Sequence, residues 1–389
     1  MGHYNYKRIE KMNLFDVYPL WNIEPVKGQG CKIWDKEGKE YLDLYGGHAV
    51  ISIGHSHPTY VKMVQEQVSK LGFYSNAVQN QLQKDLAKEL GEVCGYPDYA
   101  LFLCNSGAEA NENALKVASF QTGRKKVLAL GKAFHGRTSG AVEATDNPKI
   151  QAEFNRNGNI TFIPMNDLAA AQQELEKKEY AAIIIEGIQG VAGIYTPETE
   201  YLKGVRELCD ATGTILIMDE IQSGYGRSGK FFAHQHTGVK ADIVSMAKGI
   251  ANGFPVGAII VSPDIKPWHG MLGTTFGGNH LACAAALAVL KVIREENLVE
   301  NAATMGSYFM EKLQKYVGAD KAIKELRGTG LMIGIEVNPG YEELRNRLLF
   351  EKSIFTGGAG KSIMRLLPPI CVGKAEADRF FAALEELLG

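Results

Sequence analysis

Ile215-Leu216-Ile217-Met218-Asp219-Glu220-Ile221-Gln222 is an apolar run that ends in acidic and amide groups. It reads as a buried strand delivering polar side chains at its C-terminal end, where ligands bind in open α/β sheets. Strand side chains alternate, so Asp219 and Ile221 share one face. A carboxylate there suits a cationic ring nitrogen, with Ile221 packed below the ring; the same Asp could instead cap a helix. Working outward, Val127–Leu130, Ile160–Ile163, Ala182–Ile185, Ile243–Ser245 and Gly257–Val261 are further short apolar runs among helical patterns. The alternation from about residue 58 to 275 predicts an α/β domain with a mainly parallel sheet. Upstream, Cys31–Trp34 and Tyr41–Leu44 flank an Asp/Gly turn and predict a hairpin. Downstream, a helical pattern from Leu281 to Val317, a strand at Leu331–Val337 and a closing amphipathic helix, Lys374–Leu388, read as a second, smaller domain.

Composition bounds the function classes. Of 389 residues, 45% are apolar and 22% charged, and 42 Lys and Arg against 44 Asp and Glu leave a formal charge of −2. That balance gives no electrostatic footprint for nucleic acid or an anionic membrane. The longest apolar helical run, Leu281–Leu290, is shorter than the roughly 18 residues a membrane span needs. The polar N-terminus carries no secretory signal. Its first eleven residues read as a leader or vector remnant, since Met12 could begin the chain. The six cysteines have no paired spacing and read as reduced, mostly buried thiols of a soluble, cytoplasmic protein.

Four more stretches carry chemistry. Ile243-Val244-Ser245-Met246-Ala247-Lys248-Gly249 ends an apolar run on a lysine. Burial lowers a lysine's pKa and makes its amine nucleophilic enough for Schiff-base chemistry, although lysines also end strands at plain surfaces. Leu101–Cys104 followed by Asn105-Ser106-Gly107-Ala108 is a strand, a small polar turn and a helix start. Its free N–H groups suit a phosphate, and equally an ordinary N-cap. In Phe134-His135-Gly136-Arg137 the aromatic can stack on a cofactor ring and the arginine can hold a carboxylate bidentately. Gly273-Thr274-Thr275-Phe276-Gly277-Gly278-Asn279 is a Gly-rich hydroxyl turn suited to phosphate oxygens.

Taken in order, these pieces resemble fold-type I enzymes dependent on pyridoxal phosphate. NSGAEANE (105–112), AFHGRT (133–138), IIIEGIQG (183–190), MDEIQSGYGRSG (218–229), AKGI (247–250) and TTFGGN (274–279) are similar to the class III aminotransferases, most of all to the acetylornithine aminotransferases. The likeness runs from about Tyr18 to the C-terminus. It implies a large domain (58–275) with a mainly parallel seven-stranded sheet and a smaller α+β domain (276–389) that takes in residues 1–57. By matching position, it implies that Lys248 is the Schiff-base lysine and that Asp219 pairs with the pyridine nitrogen. It places Gln222 near the ring hydroxyl, Phe134 on the ring, and Ser106, Gly107 and Ala108 on the phosphate. Thr275 would reach the phosphate of the neighbouring subunit, giving a homodimer with a shared active site. Arg137 and Arg365 would bind substrate carboxylates, and Thr274 would contact acylornithine. The implied reaction moves the side-chain amine of N2-acetylornithine to 2-oxoglutarate, a step of arginine biosynthesis.

Three departures stand out. Relatives often read QGEGG or QGEAG where this chain has Gln189-Gly190-Val191-Ala192-Gly193, so a glutamate becomes Val191. GIAV reads Gly46-Gly47-His48-Ala49-Val50, and GGNP reads Gly277-Gly278-Asn279-His280. These leave open a succinylornithine, ornithine or 4-aminobutyrate transaminase, or an aminomutase, on the same scaffold; a catalytically dead dimeric binding protein is the rival from another class. Phe355–Ser362 nearly spells a P-loop but has Phe355 where the first glycine belongs. Gly187-x-x-Gly190-x-x-Gly193 misses the dinucleotide spacing. His55/His57 and His234/His236 lack a supporting ligand cluster and read as structural or solvated.

Overall fold

The computed structural model describes residues 14–388, so the leader reading of residues 1–11 lies outside the described residues. The chain opens with strands β1 (Pro25–Gln29), β2 (Lys32–Asp35) and β3 (Glu40–Asp43), paired antiparallel. The expected β2–β3 hairpin forms because Asp35 Oδ1 accepts the N–H groups of Glu37 and Lys39 at 3.1 and 2.8 Å, which closes the turn.

The central sheet comprises β4 (Ala100–Cys104), β5 (Lys126–Leu130), β6 (Ile160–Ile163), β7 (Tyr180–Glu186), β8 (Ile215–Asp219), β9 (Ile243–Met246) and β10 (Gly257–Val261). Its order is β4-β10-β9-β8-β7-β5-β6, seven strands that are parallel except for β10, which runs against both neighbours. Helices cover both faces, which is why these strands read as unbroken apolar runs. Leu216 and Met218 of β8 join one buried cluster, with Ile183, Ile185, Val244 and Met246. Ile217 joins another, with Ile184, Ile243 and the alanines Ala110 and Ala114 of helix Gly107–Thr122. Continuing the alternation, Glu186, Asp219 and Ser245 fall on that helix's side of the sheet. The register sets them side by side, Glu186 opposite Asp219 and Asp219 opposite Ser245.

The remainder carries β11 (Ile323–Thr329), β12 (Met332–Val337), β13 (Ile354–Phe355), β14 (Gly357–Ala359) and β15 (Ile363–Leu366). Four form an antiparallel sheet in the order β11-β12-β15-β14, while β13 pairs parallel with β3 and completes the N-terminal sheet. The expected strand at Leu331–Val337 is β12, and the closing helix spans Lys374–Leu388. The helical pattern from 281 to 317 is two helices, His280–Glu295 and Leu298–Gln314, because Asn297 takes a left-handed conformation (φ 52°) between them. The near P-loop is the β14–β15 hairpin, with no helix behind it.

Gly257, at the start of β10, lies behind the turn that follows β4. A Cβ at 257 would stand 2.2 Å from the Ser106 carbonyl oxygen. Backbone cannot swing aside as a side-chain tip can, so Gly257→Ala should destabilise the protein by about 1–3 kcal/mol in urea unfolding. An unchanged midpoint would show that the turn is free to shift.

Candidate active site

A cavity of about 370 Å³ opens at the C-terminal ends of β7, β8 and β9. Its lining includes Ser106, Gly107, Ala108, Phe134, Arg137, Asp219, Gln222 and Lys248, so eight of the eleven sequence-derived residues converge there from four segments. Asp219 is buried at the end of β8. Its Oδ2 accepts from Asn111 Nδ2 at 2.8 Å and contacts His135 Nδ1 at 2.7 Å, and its Oδ1 accepts the Ile221 N–H at 3.0 Å. Asn111 also donates to the His135 carbonyl at 2.7 Å and accepts from Ser245 Oγ at 2.6 Å. One carboxylate is thus held by a helix, a loop and its own strand end, in a fixed direction.

Lys248 is the second residue after β9, at φ +45°. A lysine in the left-handed region is strained by about 1–3 kcal/mol, a feature that gathers at working sites. Burial holds its ammonium below the ordinary lysine range, against the opposing pull of Asp219 and Glu186. More of it is therefore neutral amine than on a surface lysine.

At the turn that follows β4, Ser106 caps helix Gly107–Thr122, its Oγ accepting the Glu109 N–H at 3.2 Å. Gly107 and Ala108 occupy the first turn, where N–H groups have no intrahelical acceptor, beside the cavity they line. A Cβ at Gly107 would come within 2.9 Å of Ile221, so glycine lets this helix start close on the cavity. Gln222 Nε2 donates to the His48 carbonyl at 3.3 Å, while its Oε1 is buried without a partner. Gly46, Gly47, His48 and Ala49 all take positive φ, a single left-handed turn that presents this carbonyl. Left-handed turns containing non-glycine residues are costly, so the surrounding contacts must impose this one.

The remaining three residues lie apart. Arg365 on β15 is buried; its Nη1 donates to the Gly190 carbonyl at 2.8 Å and its Nε to that of Gly358 at 3.1 Å. Burial lowers its pKa, and no carboxylate pairs with it among the described residues. Thr274 Oγ1 accepts from Asn105 Nδ2 at 3.4 Å and the Gly277 N–H at 3.0 Å, lining a neighbouring hollow. Thr275 is exposed and outside its own chain's cavity.

Sequence reasoning gave no role to Asn111, His135, Glu186 or Ser245. Glu186 and Ser245 end apolar runs just as Asp219 does, and Asn111 lies one helical turn after Gly107 on the alanine-lined face, so strand-end and helix-period signals were present. The histidine pairs hold structure: His55 meets Asp43 at 2.7 Å, and His234 lies between Glu220 and Tyr96, each at 2.7 Å.

The residues fit pyridoxal phosphate. The buried, unpartnered Gln222 Oε1, the uncommitted N–H groups at Gly107 and Ala108, a directed carboxylate and a buried lysine match the polar groups of a phosphorylated pyridine aldehyde.

Burial first, and the neighbouring Asp219 next among the raising causes, push the Glu186 carboxyl up to about 7. The folded protein therefore keeps this proton between about pH 4.5 and 7, where the unfolded chain has released it. Stability falls as pH rises through that window, by roughly 3 kcal/mol in all. Glu186→Gln should stabilise the ligand-free protein at about pH 8 and leave it unchanged near pH 4.5, read by urea unfolding. An equal gain at both pH values would exclude carboxyl burial as the cause.

Comparison with known proteins agrees with this geometry. The profile of the family described as Aminotransferase class-III matches residues 17–388. The chain is 42% identical to the acetylornithine aminotransferase of Methanosarcina acetivorans over 92% of this chain and 90% of that one. It is 39% identical to the acetylornithine aminotransferase of Methanocaldococcus jannaschii over 100% of this chain and 98% of that one. Among solved structures, the ornithine aminotransferase of Toxoplasma gondii superposes with a TM-score of 0.89 at 29% identity, covering 96% of this chain and 93% of that one. The acetylornithine aminotransferase of Elizabethkingia anophelis superposes with a TM-score of 0.84 at 31% identity, covering 96% of each. With a seven-stranded sheet whose parallel strand ends gather a carboxylate and a buried lysine beside a helix start, the chain belongs to the class III aminotransferases, transaminases that depend on pyridoxal phosphate.

Proposed function

We propose that the enzyme moves the side-chain amine of N2-acetylornithine to 2-oxoglutarate. The observation that carries this reading is the run of acetylornithine aminotransferases among its relatives, at about 40% identity over nearly the whole chain. Pyridoxal phosphate, when bound, supplies an electron sink for the C–H bond that breaks beside the amine. The residues supply the rest. Ser106, Gly107 and Ala108 would hold the phosphate, Phe134 the ring and Gln222 the ring hydroxyl. Asp219, fixed by Asn111 and His135, would hold the proton on the ring nitrogen. Lys248 would anchor the group, and its Nζ would take the proton from the substrate carbon bearing the amine and pass it on to a different atom in the same half-reaction, so that the lysine ends as it began. Arg137, exposed beside the cavity, and Arg365 receive substrate carboxylates, and Thr274 meets the acyl group.

The shared-site dimer belongs to the same proposal. Leu71, Phe73, Tyr74, Val78 and Phe276 are exposed, and the rings of Phe73 and Phe276 lie 5.5 Å apart. Asn76 ties this segment to the Thr274 and Gly277 carbonyls, so the apolar patch borders Thr275. A patch of that kind suits a subunit interface, which would carry Thr275 to the partner's phosphate.

Two measurements test the reading. In single-turnover reactions of the holoenzyme with acetylornithine, succinylornithine, ornithine and 4-aminobutyrate, acetylornithine should react fastest; preference for any other donor would reassign the substrate.

The second concerns Val191, exposed at the cavity edge beside Gly190. Arg365 is held there by carbonyls alone, so a diacid need break no ion pair to reach it. A charge-assisted contact is worth roughly 1.5–3 kcal/mol. Val191→Glu should therefore raise KM for 2-oxoglutarate and glutamate about tenfold while changing the acylornithine half-reaction less. Equal effects on both half-reactions would remove the argument.

A further inference from the structure

Cys31 and Cys371 stand near opposite ends of the chain, yet their sulfur atoms lie 3.9 Å apart. Cys31 is buried between β1 and β2, and its carbonyl accepts the Asp43 N–H at 2.8 Å. Cys371 is partly exposed and follows Ile370, whose N–H donates to the Ser52 carbonyl at 2.7 Å. The seam between them exists because residue 54 is glycine, at φ +94°: a Cβ there would stand 2.9 Å from Cys371 Sγ and 3.1 Å from Gly30 Cα. A disulfide bond is about 2.05 Å long, so the two sulfurs need to approach by roughly 2 Å. The other four cysteines are buried singly. Cys94, Cys104 and Cys283 each point the thiol at a backbone carbonyl.

We propose that Cys31 and Cys371 form a reversible thiol-modification site, oxidised by hydrogen peroxide to a disulfide that joins the N-terminal sheet to the segment following Arg365. The contact with Cys31 holds the Cys371 pKa below the ordinary thiol value, while Cys31 itself is pushed up by Cys371 and by burial. Cys371, the more exposed of the two, is therefore the attacking sulfur. Its thiolate displaces hydroxide from the peroxide: an S–O bond forms, the O–O bond breaks, and Cys371 becomes a sulfenic acid. Cys31 then attacks that sulfur. The S–S bond forms, the S–O bond breaks, and the departing oxygen leaves as water with the Cys31 proton. Two thiols lose two electrons, and the peroxide is reduced to water.

The linked position bears on the active site through a short chain of hydrogen bonds. Gly54, packed on Cys371, offers its carbonyl to Asn252 Nδ2 at 2.9 Å, and Asn252 Oδ1 accepts the N–H groups of Ser52 and Ile53 at 2.8 and 3.1 Å. Ser52 Oγ in turn donates to the carbonyl of Gly249, the residue after Lys248, at 2.9 Å. A bond between the sulfurs therefore stiffens the support under the Lys248 turn.

The test treats the holoenzyme with one equivalent of hydrogen peroxide and maps its peptides without reduction. The expected result is a Cys31–Cys371 linked peptide, loss of two of the six free thiols, and recovery of both with dithiothreitol. Cys31→Ser should stop at a sulfenic acid on Cys371, trapped by dimedone. Cys371→Ser should give neither the link nor the trapped acid at these positions. Both thiols surviving peroxide, or another cysteine oxidising first, would overturn the proposal. The wild-type map decides it alone if either serine variant does not fold.

Discussion

A carboxylate taken out of water must be met by donors, and the cleft is organised around meeting that demand for Asp219. Its two oxygens accept from an asparagine, a histidine and a backbone N–H, drawn from a helix, a loop and the residue two positions on. Each contact restricts where those elements can lie. Helix Gly107–Thr122 must pass close enough to the sheet for Asn111 to reach, and the small residues Ala110 and Ala114 permit that approach. The same helix begins at Ser106, so satisfying one buried charge also sets where the uncommitted N–H groups of its first turn open on the cavity.

Register does the remaining placement. Parallel pairing of β7, β8 and β9 aligns Glu186, Asp219 and Ser245, and the chain reaches Lys248 only two residues past β9. Two carboxylates side by side beside a buried lysine cannot all titrate normally. The Glu186 carboxyl is driven up by burial and by Asp219, and the lysine is driven down by burial. The site thus holds more neutral acid and neutral amine at neutral pH than the same groups would in water.

The sheet was legible in the chain because strands covered on both faces need unbroken apolar runs, and β5 to β10 supply them. Asp219 and Lys248 were legible as polar residues ending such runs. Positive φ at Lys248 and the left-handed turn at Gly46–Ala49 were not, since lysine, histidine and alanine do not announce that conformation; tertiary contacts impose it. Nor was the break at Asn297, where the apolar period continues through a residue that reverses its backbone twist. The hydrogen bonds of Arg365 to the Gly190 and Gly358 carbonyls join segments far apart in the chain, beyond the reach of any local pattern. The proximity of Cys31 and Cys371 escaped for the same reason.

The pairing of β13 with β3 has a consequence for how the protein is made. Leu42 finds its partner Ile354 only after about 300 further residues have been added. At about 5–20 residues per second, the N-terminal hairpin waits some 15–60 s on a ribosome with one edge unpaired. The central sheet, whose strands all fall between residues 100 and 261, can assemble within that interval. Vectorial synthesis therefore favours completing the catalytic platform before the sheet that joins the two ends of the chain. Truncation of a nascent chain before Ile354 would leave β3 as an open edge, available to another molecule.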